Sequence, residues 1–201
     1  MQTQDTYKTI AAPSEGFFKD RGSKFYAFAF PVSKEEDVTK HRAALRKKYH
    51  DARHHVYAFH LGVKQPVYRS SDDGEPSNSS GPPILGQIKS YELTDILIVV
   101  IRYFGGTKLG IPGLINAYKT AAADALNNAK IIEKTISEKL CFSFDYPVMN
   151  DIMRITKDDD IKIDKQEFLE TCYMELSIKI SKVDAIRNKL SQMKSVKIID
   201  N

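Results

Sequence analysis

Residues 102–113, RYFGGTKLGIPG, combine glycines with two cations where a buried strand is predicted to meet a helix. Glycines permit positive φ angles and close backbone approach, and the free N–H groups of a helix start attract anions. Lys108 adds a positive charge, and Arg102 can make a bidentate contact with a phosphate or carboxylate. Close packing of strand, turn and helix would also require glycines, so a purely structural role stays open. The candidate anion-binding residues are Arg102, Tyr103, Gly105, Gly106, Lys108, Gly110 and Gly113.

A second candidate is the polar loop of residues 70–81, SSDDGEPSNSSG. Its three carboxylates, Asp72, Asp73 and Glu75, could hold a divalent cation or act as acid and base, with His54 as a further member. The spacing is not that of an EF-hand, and loops rich in Ser, Asp, Gly and Pro are usually turns. The acidic loop is nevertheless longer than packing requires, which favours a function.

Several common catalytic and metal-binding motifs are absent from the sequence. The glycine turn has the spacing neither of a Walker loop nor of a dinucleotide-binding fold, and no Gly-x-Ser-x-Gly or His-Glu-x-x-His occurs. His54 and His60 share one face of a predicted strand but lie about 20 Å apart, too far to chelate one ion. Cys141 and Cys172 have no zinc-type spacing. We therefore predict neither a metal nor a cofactor.

Hydrophobic periodicity predicts a mixed α+β organisation for residues 1–135. Ser33 followed by Glu36 predicts a capping box at the start of a helix. The apolar run at 96–101 is typical of a buried central strand. The predicted elements are a strand at 26–30, a helix from Ser33 to about Tyr49, strands at 53–61 and 67–69, a short helix after Pro83, the strand at 96–101 and a helix from Pro112 to about Asn128.

Residues 136–201 predict a second domain with the order β-α-β-β-α-β, the ferredoxin-like split unit. The clearest alternation in the chain runs from Cys172 to Ile180, which is typical of a half-buried strand. Ser181 followed by Asp184 predicts a helix cap. We therefore expect two domains, residues 1–135 and 136–201.

Charge is distributed unevenly between these two parts. Residues 1–135 carry 19 Lys and Arg against 14 Asp and Glu, whereas residues 136–201 carry 11 against 12. A basic domain is compatible with a polyanionic partner. The longest apolar run has six residues, far fewer than the roughly 20 that cross a bilayer, and we find no signal peptide. We therefore expect a cytoplasmic protein with no membrane partner.

Three motifs together resemble the YigZ/IMPACT family, and their joint occurrence in this order is much more specific than any one glycine motif. They are Arg53-His54, then Ser71-Asp72-Asp73-Gly74-Glu75-Pro76, then Arg102-Tyr103-Phe104-Gly105-Gly106-x-Lys108-Leu109-Gly110. The resemblance covers roughly residues 16–130, and residues 136–201 look like the additional domain of bacterial members.

The resemblance implies an α+β fold with two domains. The first is expected to resemble a ribosomal protein and domain IV of elongation factor G, and the second, ferredoxin-like, domain V of that factor. Two positions depart from the family pattern. Residues 78–81 are Asn-Ser-Ser-Gly where Gly-Thr-Ala-Gly is usual, and Asn116 replaces an arginine.

The resemblance also leads to the first functional hypothesis, because eukaryotic IMPACT proteins regulate translation by competing for a partner in the amino-acid-starvation kinase pathway. We expect a non-catalytic, translation-associated regulatory protein that binds RNA, the ribosome or a translation-related protein. The alternative is an enzyme that acts on a phosphorylated or carboxylated small molecule through the glycine turn and the acidic loop. A third possibility is a protein-docking module.

Overall fold

The structure, a computed structural model, describes residues 5–199, which form two compact units. The first unit is residues 7–134, and the second is residues 135–199 together with Asp5 and Thr6. Each unit has its own buried apolar core, as expected of a domain. No helix within residues 5–199 is long and apolar enough to cross a membrane.

The first unit is built around a five-stranded sheet in the order β2-β3-β6-β4-β5 with antiparallel neighbours. Its central strand, β6, is the predicted apolar run, whose residues are buried on both faces. β1 and β7 form a separate two-stranded sheet. The bounds are β1 Thr6–Ile10, β2 Ser14–Asp20, β3 Ser23–Pro31, α1 Glu35–Lys48, β4 His54–Leu61, β5 Val67–Ser71, α2 Gly81–Ser90, β6 Ile96–Tyr103, α3 Gly110–Asn127 and β7 Ile131–Thr135.

Helices cover both faces of the five-stranded sheet. On one face, α2 and α3 pack against alternate residues of the strands, Phe25, Ala27 and Ala29 among them. On the other face, Val38 and Leu45 of α1 pack against the intervening residues. The alternation in β3 follows from the pleat, which points successive side chains to opposite faces.

The register of the sheet brings three strand ends together. Lys24, near the start of β3, pairs with Tyr103 at the end of β6. His54, the first residue of β4, pairs with Arg102. The glycine turn follows β6 directly, so this end of the sheet collects residues from distant parts of the sequence.

The second unit has the ferredoxin-like topology, and the predicted β-α-β-β-α-β order is confirmed. Its four antiparallel strands lie in the order β11-β8-β10-β9, and α4 and α5 contribute to a single core with them. The bounds are β8 Ser137–Phe144, α4 Met149–Ile155, β9 Ile161–Phe168, β10 Cys172–Lys179, α5 Val183–Ser191 and β11 Val196–Ile199.

For two predicted helix caps, the structure shows a hydrogen-bond partner other than the one predicted. Ser33 does not pair with Glu36. Its N–H and hydroxyl both donate to Asp37, one residue further along. Ser181 does not cap α5 but donates its N–H and hydroxyl to the carboxylate of Asp5. The hydroxyl of a serine donates to whichever acceptor the fold places within hydrogen-bond distance. Sequence spacing alone does not identify that acceptor.

Gly105 lies where the glycine turn contacts the turn between β2 and β3. A Cβ at this position would overlap the backbone of Gly22 and Ser23. The Gly105 N–H also donates to the Ser23 hydroxyl at 3.1 Å. Only glycine permits so close an approach of two backbones.

We predict that Gly105→Ala lowers the free energy of unfolding by about 3 kcal/mol, because the added methyl group must displace backbone. The matched control is Gly86→Ala, since Gly86 is exposed in α2 and has open space around it. Alanine there raises stability by roughly 0.5–1 kcal/mol. Urea denaturation followed by circular dichroism measures both, and equal effects of the two substitutions would contradict the packing role.

Candidate functional site

A buried ion pair connects the acidic loop to the end of β6. Arg102 Nη1 donates to Glu75 Oε1 at 2.6 Å, and the two side chains are only 8% and 4% exposed. The hydroxyl of Tyr118, a buried residue of α3, donates to the same oxygen at 2.8 Å. Burial and the neighbouring Glu75 raise the pKa of the Tyr118 hydroxyl, so it remains a protonated donor. Three segments of the unit therefore meet at one carboxylate oxygen.

Asp72 organises the rest of the acidic loop. Its Oδ1 accepts from the N–H of Gly81 and from the N–H and hydroxyl of Ser80, all within 3.0 Å, and its Oδ2 accepts from the N–H of Asn78. Ser80 and Gly81 lie at the start of α2, whose free N–H groups need acceptors. Burial raises the pKa of the Asp72 carboxyl, but the hydrogen bonds outweigh burial and hold the pKa below its usual value.

Asp73 fastens the loop to α1 and β4. One carboxylate oxygen accepts from the N–H of His55 at 2.7 Å, and the other accepts from Arg46 at 2.9 Å. The ring Nδ1 of His54 lies 2.9 Å from the backbone oxygen of Asp73. Burial raises the pKa of the Asp73 carboxyl, but the hydrogen bonds from His55 and Arg46 outweigh burial and hold the pKa below its usual value. The carboxyl therefore stays ionised.

The three carboxylates of the acidic loop are thus directed to three different sets of protein donors. Within residues 5–199, no group of three or more His, Cys, Asp or Glu side chains is arranged to hold a metal ion. Asp72, Asp73 and Glu75 each serve to connect segments of the fold, and the loop's length is explained by those connections. Each of the three carboxylates therefore already accepts hydrogen bonds from other residues of the protein.

A cavity of about 440 Å³ opens beside the buried ion pair. Arg53 and Lys108 are exposed on its wall and have no ion-pair partner among the described residues. The single carboxylate on the wall, Asp51, accepts a hydrogen bond from the Tyr103 hydroxyl at 2.7 Å. That bond raises the pKa of Tyr103 to about 12. The lining residues are Asp51, Arg53, His54, Arg102, Tyr103, Phe104 and Lys108.

Two further cavities share residues with this one, and we call the three together the cationic groove. One, of about 250 Å³, is lined by Arg102, Phe104 and Lys108 with the first residues of α3. The other, of about 440 Å³, is lined by Tyr103 and Phe104 with Gly22, Lys24, Tyr26 and Tyr49. Phe104 lines all three cavities. The groove combines exposed cations with aromatic rings, which suits an anion that also carries a flat ring.

The glycines of the candidate anion site have different roles. Gly105 is needed for backbone packing, as described above, and Gly113 sits against Leu109, whose Cβ would lie 2.9 Å from an added methyl group. Gly106 has a φ of +87° and open space around it, and Gly110, with a φ of +72°, lines the groove. The structure therefore brings Arg102, Tyr103, Lys108 and Gly110 together on the groove, whereas Gly113 does not line it.

A sequence model of the Impact N-terminal domain matches residues 21–126, more than half of the chain. This chain belongs to the Impact N-terminal domain family. The matched segment includes both the acidic loop and the glycine turn, so the resemblance to the YigZ/IMPACT family is confirmed.

Relatives of this Impact-domain chain occur in bacteria and in yeast. IMPACT family member YvyE of Bacillus subtilis is 27% identical over 188 residues, which cover 94% of this chain and 87% of that protein. An IMPACT family member of Thermus thermophilus is 45% identical over 107 residues, covering 53% of this chain and 56% of that protein. The protein IMPACT homolog of Saccharomyces cerevisiae is 32% identical over 119 residues, covering 55% of this chain and 43% of that protein.

A solved structure, described as a crystal structure of a hypothetical protein, has a TM-score of 0.72 and is 25% identical to this chain. The match covers 99% of this chain and 98% of that chain. The α+β fold of this Impact-family chain is therefore found in an experimental structure.

Four residues of the site were absent from the candidates chosen from the sequence: Arg53, Asp51, Phe104 and Tyr118. Arg53 and Phe104 lie within the family motifs. Their place in those motifs could have identified both as candidates. Tyr118 lies in the helix predicted from Pro112 to about Asn128, and a buried tyrosine hydroxyl usually has a partner. No local signal identified Asp51, because its partner Tyr103 is 52 residues away.

We predict that Glu75→Gln lowers the free energy of unfolding by about 3–5 kcal/mol, because it leaves Arg102 buried without a counter-charge. The control is Glu92→Gln, which changes an exposed pair with Lys8. That change costs at most about 1 kcal/mol. Chemical denaturation at neutral pH compares the two variants. Similar losses in the free energy of unfolding would show that the buried ion pair stabilises the fold no more than the exposed one.

We predict that Asp72→Asn weakens the pH dependence of stability in acid. A carboxyl whose pKa is lower in the folded chain stabilises the fold at pH values above its ordinary pKa of 3.8, and this contribution is lost as the pH falls through the lower pKa of the folded chain. Stability of the wild type therefore falls more steeply than that of the variant between about pH 5 and about pH 2. Ser80→Ala keeps the carboxylate but removes one donor, so its slope lies between them. Parallel curves for wild type and Asp72→Asn would refute the assignment.

Proposed function

We propose that this Impact-family protein is a non-catalytic, translation-associated regulator in the cytoplasm that binds RNA, free or within the ribosome, through the cationic groove. The connection with translation rests on family membership, since the resemblance relates this domain to regulators of translation. We assign the binding role to the domain of residues 1–135 and treat residues 136–201 as a separate domain.

The supporting observation is the distribution of charge around the groove. Glu75 neutralises Arg102, and Asp51 is hydrogen-bonded to Tyr103, whereas Arg53 and Lys108 remain exposed without ion-pair partners in residues 5–199. In addition, the Nε of Arg102 is buried and has no hydrogen-bond partner among the described residues. A wall with two free cations attracts phosphates, and phosphate contacts supply most of the affinity of non-specific nucleic-acid binding.

The enzyme alternative receives less support from the same geometry. Its acid and base candidates were Asp72, Asp73, Glu75 and His54, and all three carboxylates are occupied by protein donors. Of these four, only His54 and Glu75 line the groove, and Glu75 is bound to Arg102. Binding therefore fits the site better than catalysis.

We predict that Lys108→Glu reduces co-sedimentation of the full-length protein with ribosomes and total RNA at low salt. Charge reversal removes one phosphate contact and adds repulsion, so binding falls by about tenfold or more and becomes less dependent on salt. Lys40→Glu is the control, because Lys40 is exposed on α1, lines none of the three cavities and undergoes the same change of charge.

The expected result is that wild type and Lys40→Glu pellet while Lys108→Glu remains in the supernatant. If the wild type does not pellet with either ribosomes or RNA, the proposed function is wrong. If all three proteins pellet equally, binding occurs outside the groove. Pelleting that survives nuclease treatment of the RNA would instead identify a protein partner.

A further inference from the structure

Phe104 is the most exposed phenylalanine or tyrosine among the described residues of the first unit, at 61%. It follows directly on the end of β6, and Arg102 Cζ lies 5.7 Å from the centre of its ring. Exposing a large apolar ring to water is unfavourable. Because Phe104 also lines all three cavities beside a cation, we infer that a ligand binds against this ring. A flat ligand that stacks on Phe104 would remove this exposed surface from water.

Aromatic rings continue from Phe104 across the ends of β6 and β3. Tyr103 contacts Tyr26 edge to face, with ring centres 6.0 Å apart, and Tyr26 stacks on Tyr49 at 6.4 Å. All three tyrosines are partly exposed and line the groove with Phe104. Successive rings of this kind, arranged along one surface, are typical of proteins on which unpaired bases stack.

Cations line the same cavities as these rings. Lys24 lines one cavity with Tyr26, Tyr103 and Phe104, while Arg53 and Lys108 line another cavity with Tyr103 and Phe104. The strand ends that carry these residues are neighbours in the sheet, since Lys24 pairs with Tyr103. A surface that combines rings with neighbouring cations matches a chain of nucleotides, whose bases stack and whose phosphates need positive charge.

We propose that the cationic groove binds single-stranded RNA, with one base stacked on Phe104 and the adjoining phosphates near Arg53 and Lys108. A double helix is excluded from this mode because its bases are already stacked on one another and present only their edges. An acidic peptide would satisfy the cations but would leave the rings exposed. This inference rests on the proposed function, to which it adds the strand preference and the residue that produces it.

The test measures fluorescence anisotropy of a labelled 12-nucleotide oligouridine and of a labelled RNA duplex with the full-length protein. The wild type is expected to bind the single strand at least tenfold more tightly than the duplex. Phe104→Ala is expected to weaken single-strand binding about tenfold and to leave duplex binding unchanged. Because Phe104 is exposed, the same thermal unfolding temperature in both proteins confirms that the fold is intact.

Tyr68→Ala is the matched control. Tyr68 is 43% exposed, and Lys89 Nζ lies 4.9 Å from its ring centre, so it resembles Phe104 in exposure and in its neighbouring cation. It pairs with His60 at the opposite end of β4 from His54. Its substitution is expected to leave both affinities unchanged.

A second variant, Phe104→Trp, reports on stacking directly. The chain contains no tryptophan, so this substitution introduces a single indole at the groove. Stacking predicts retained affinity and strong quenching of the indole fluorescence by oligouridine, with no quenching by polyglutamate.

The outcomes separate the two proposals. If the wild type binds neither RNA, the proposed function fails. If it binds both equally in a salt-dependent manner, and Phe104→Ala has no effect, only the single-strand inference fails. Competition by polyglutamate as strong as that by oligouridine would also overturn the inference, because it would show that charge alone determines binding.

Discussion

The ion pair between Arg102 and Glu75 is the interaction on which the arrangement of the groove depends. Removing two charges from water costs several kcal/mol for each, and their attraction offsets this cost only when geometry is good and further hydrogen bonds are made. Tyr118 supplies such a bond. The pair thereby holds the acidic loop, the end of β6 and α3 in one arrangement, and the orientation of the glycine turn follows from it.

Neutralisation inside the fold determines which charges remain for a ligand. The acidic loop carries three carboxylates, and the cations Arg53, Arg102 and Lys108 lie close to it. The folded chain binds the carboxylates internally and leaves Arg53 and Lys108 exposed. The electrostatic character of the groove is therefore a product of tertiary structure rather than of composition.

Periodicity predicted the strands and helices because burial acts on every second or every third to fourth residue of one segment. It could not predict partners that the fold brings together. Arg102 was expected to bind an external anion but binds Glu75, 27 residues away. The departure from the family pattern at Asn78 is explained by its φ of +61°, since asparagine tolerates the left-handed region better than other non-glycine residues. The occupant of the groove remains a prediction.

The bonds between Asp5 and Ser181 have a consequence for the order in which the chain is made. The two residues are 176 positions apart, and the backbone oxygen of Asp5 also accepts from the N–H of Ile136. A ribosome synthesises Asp5 long before either donor exists. The second unit can therefore form these hydrogen bonds only late in synthesis. Until then, Asp5 has neither Ile136 nor Ser181 as a donor. A cleavage directly after Asp5 would leave the five-stranded sheet of the first unit intact and would remove a hydrogen-bond acceptor from the second unit.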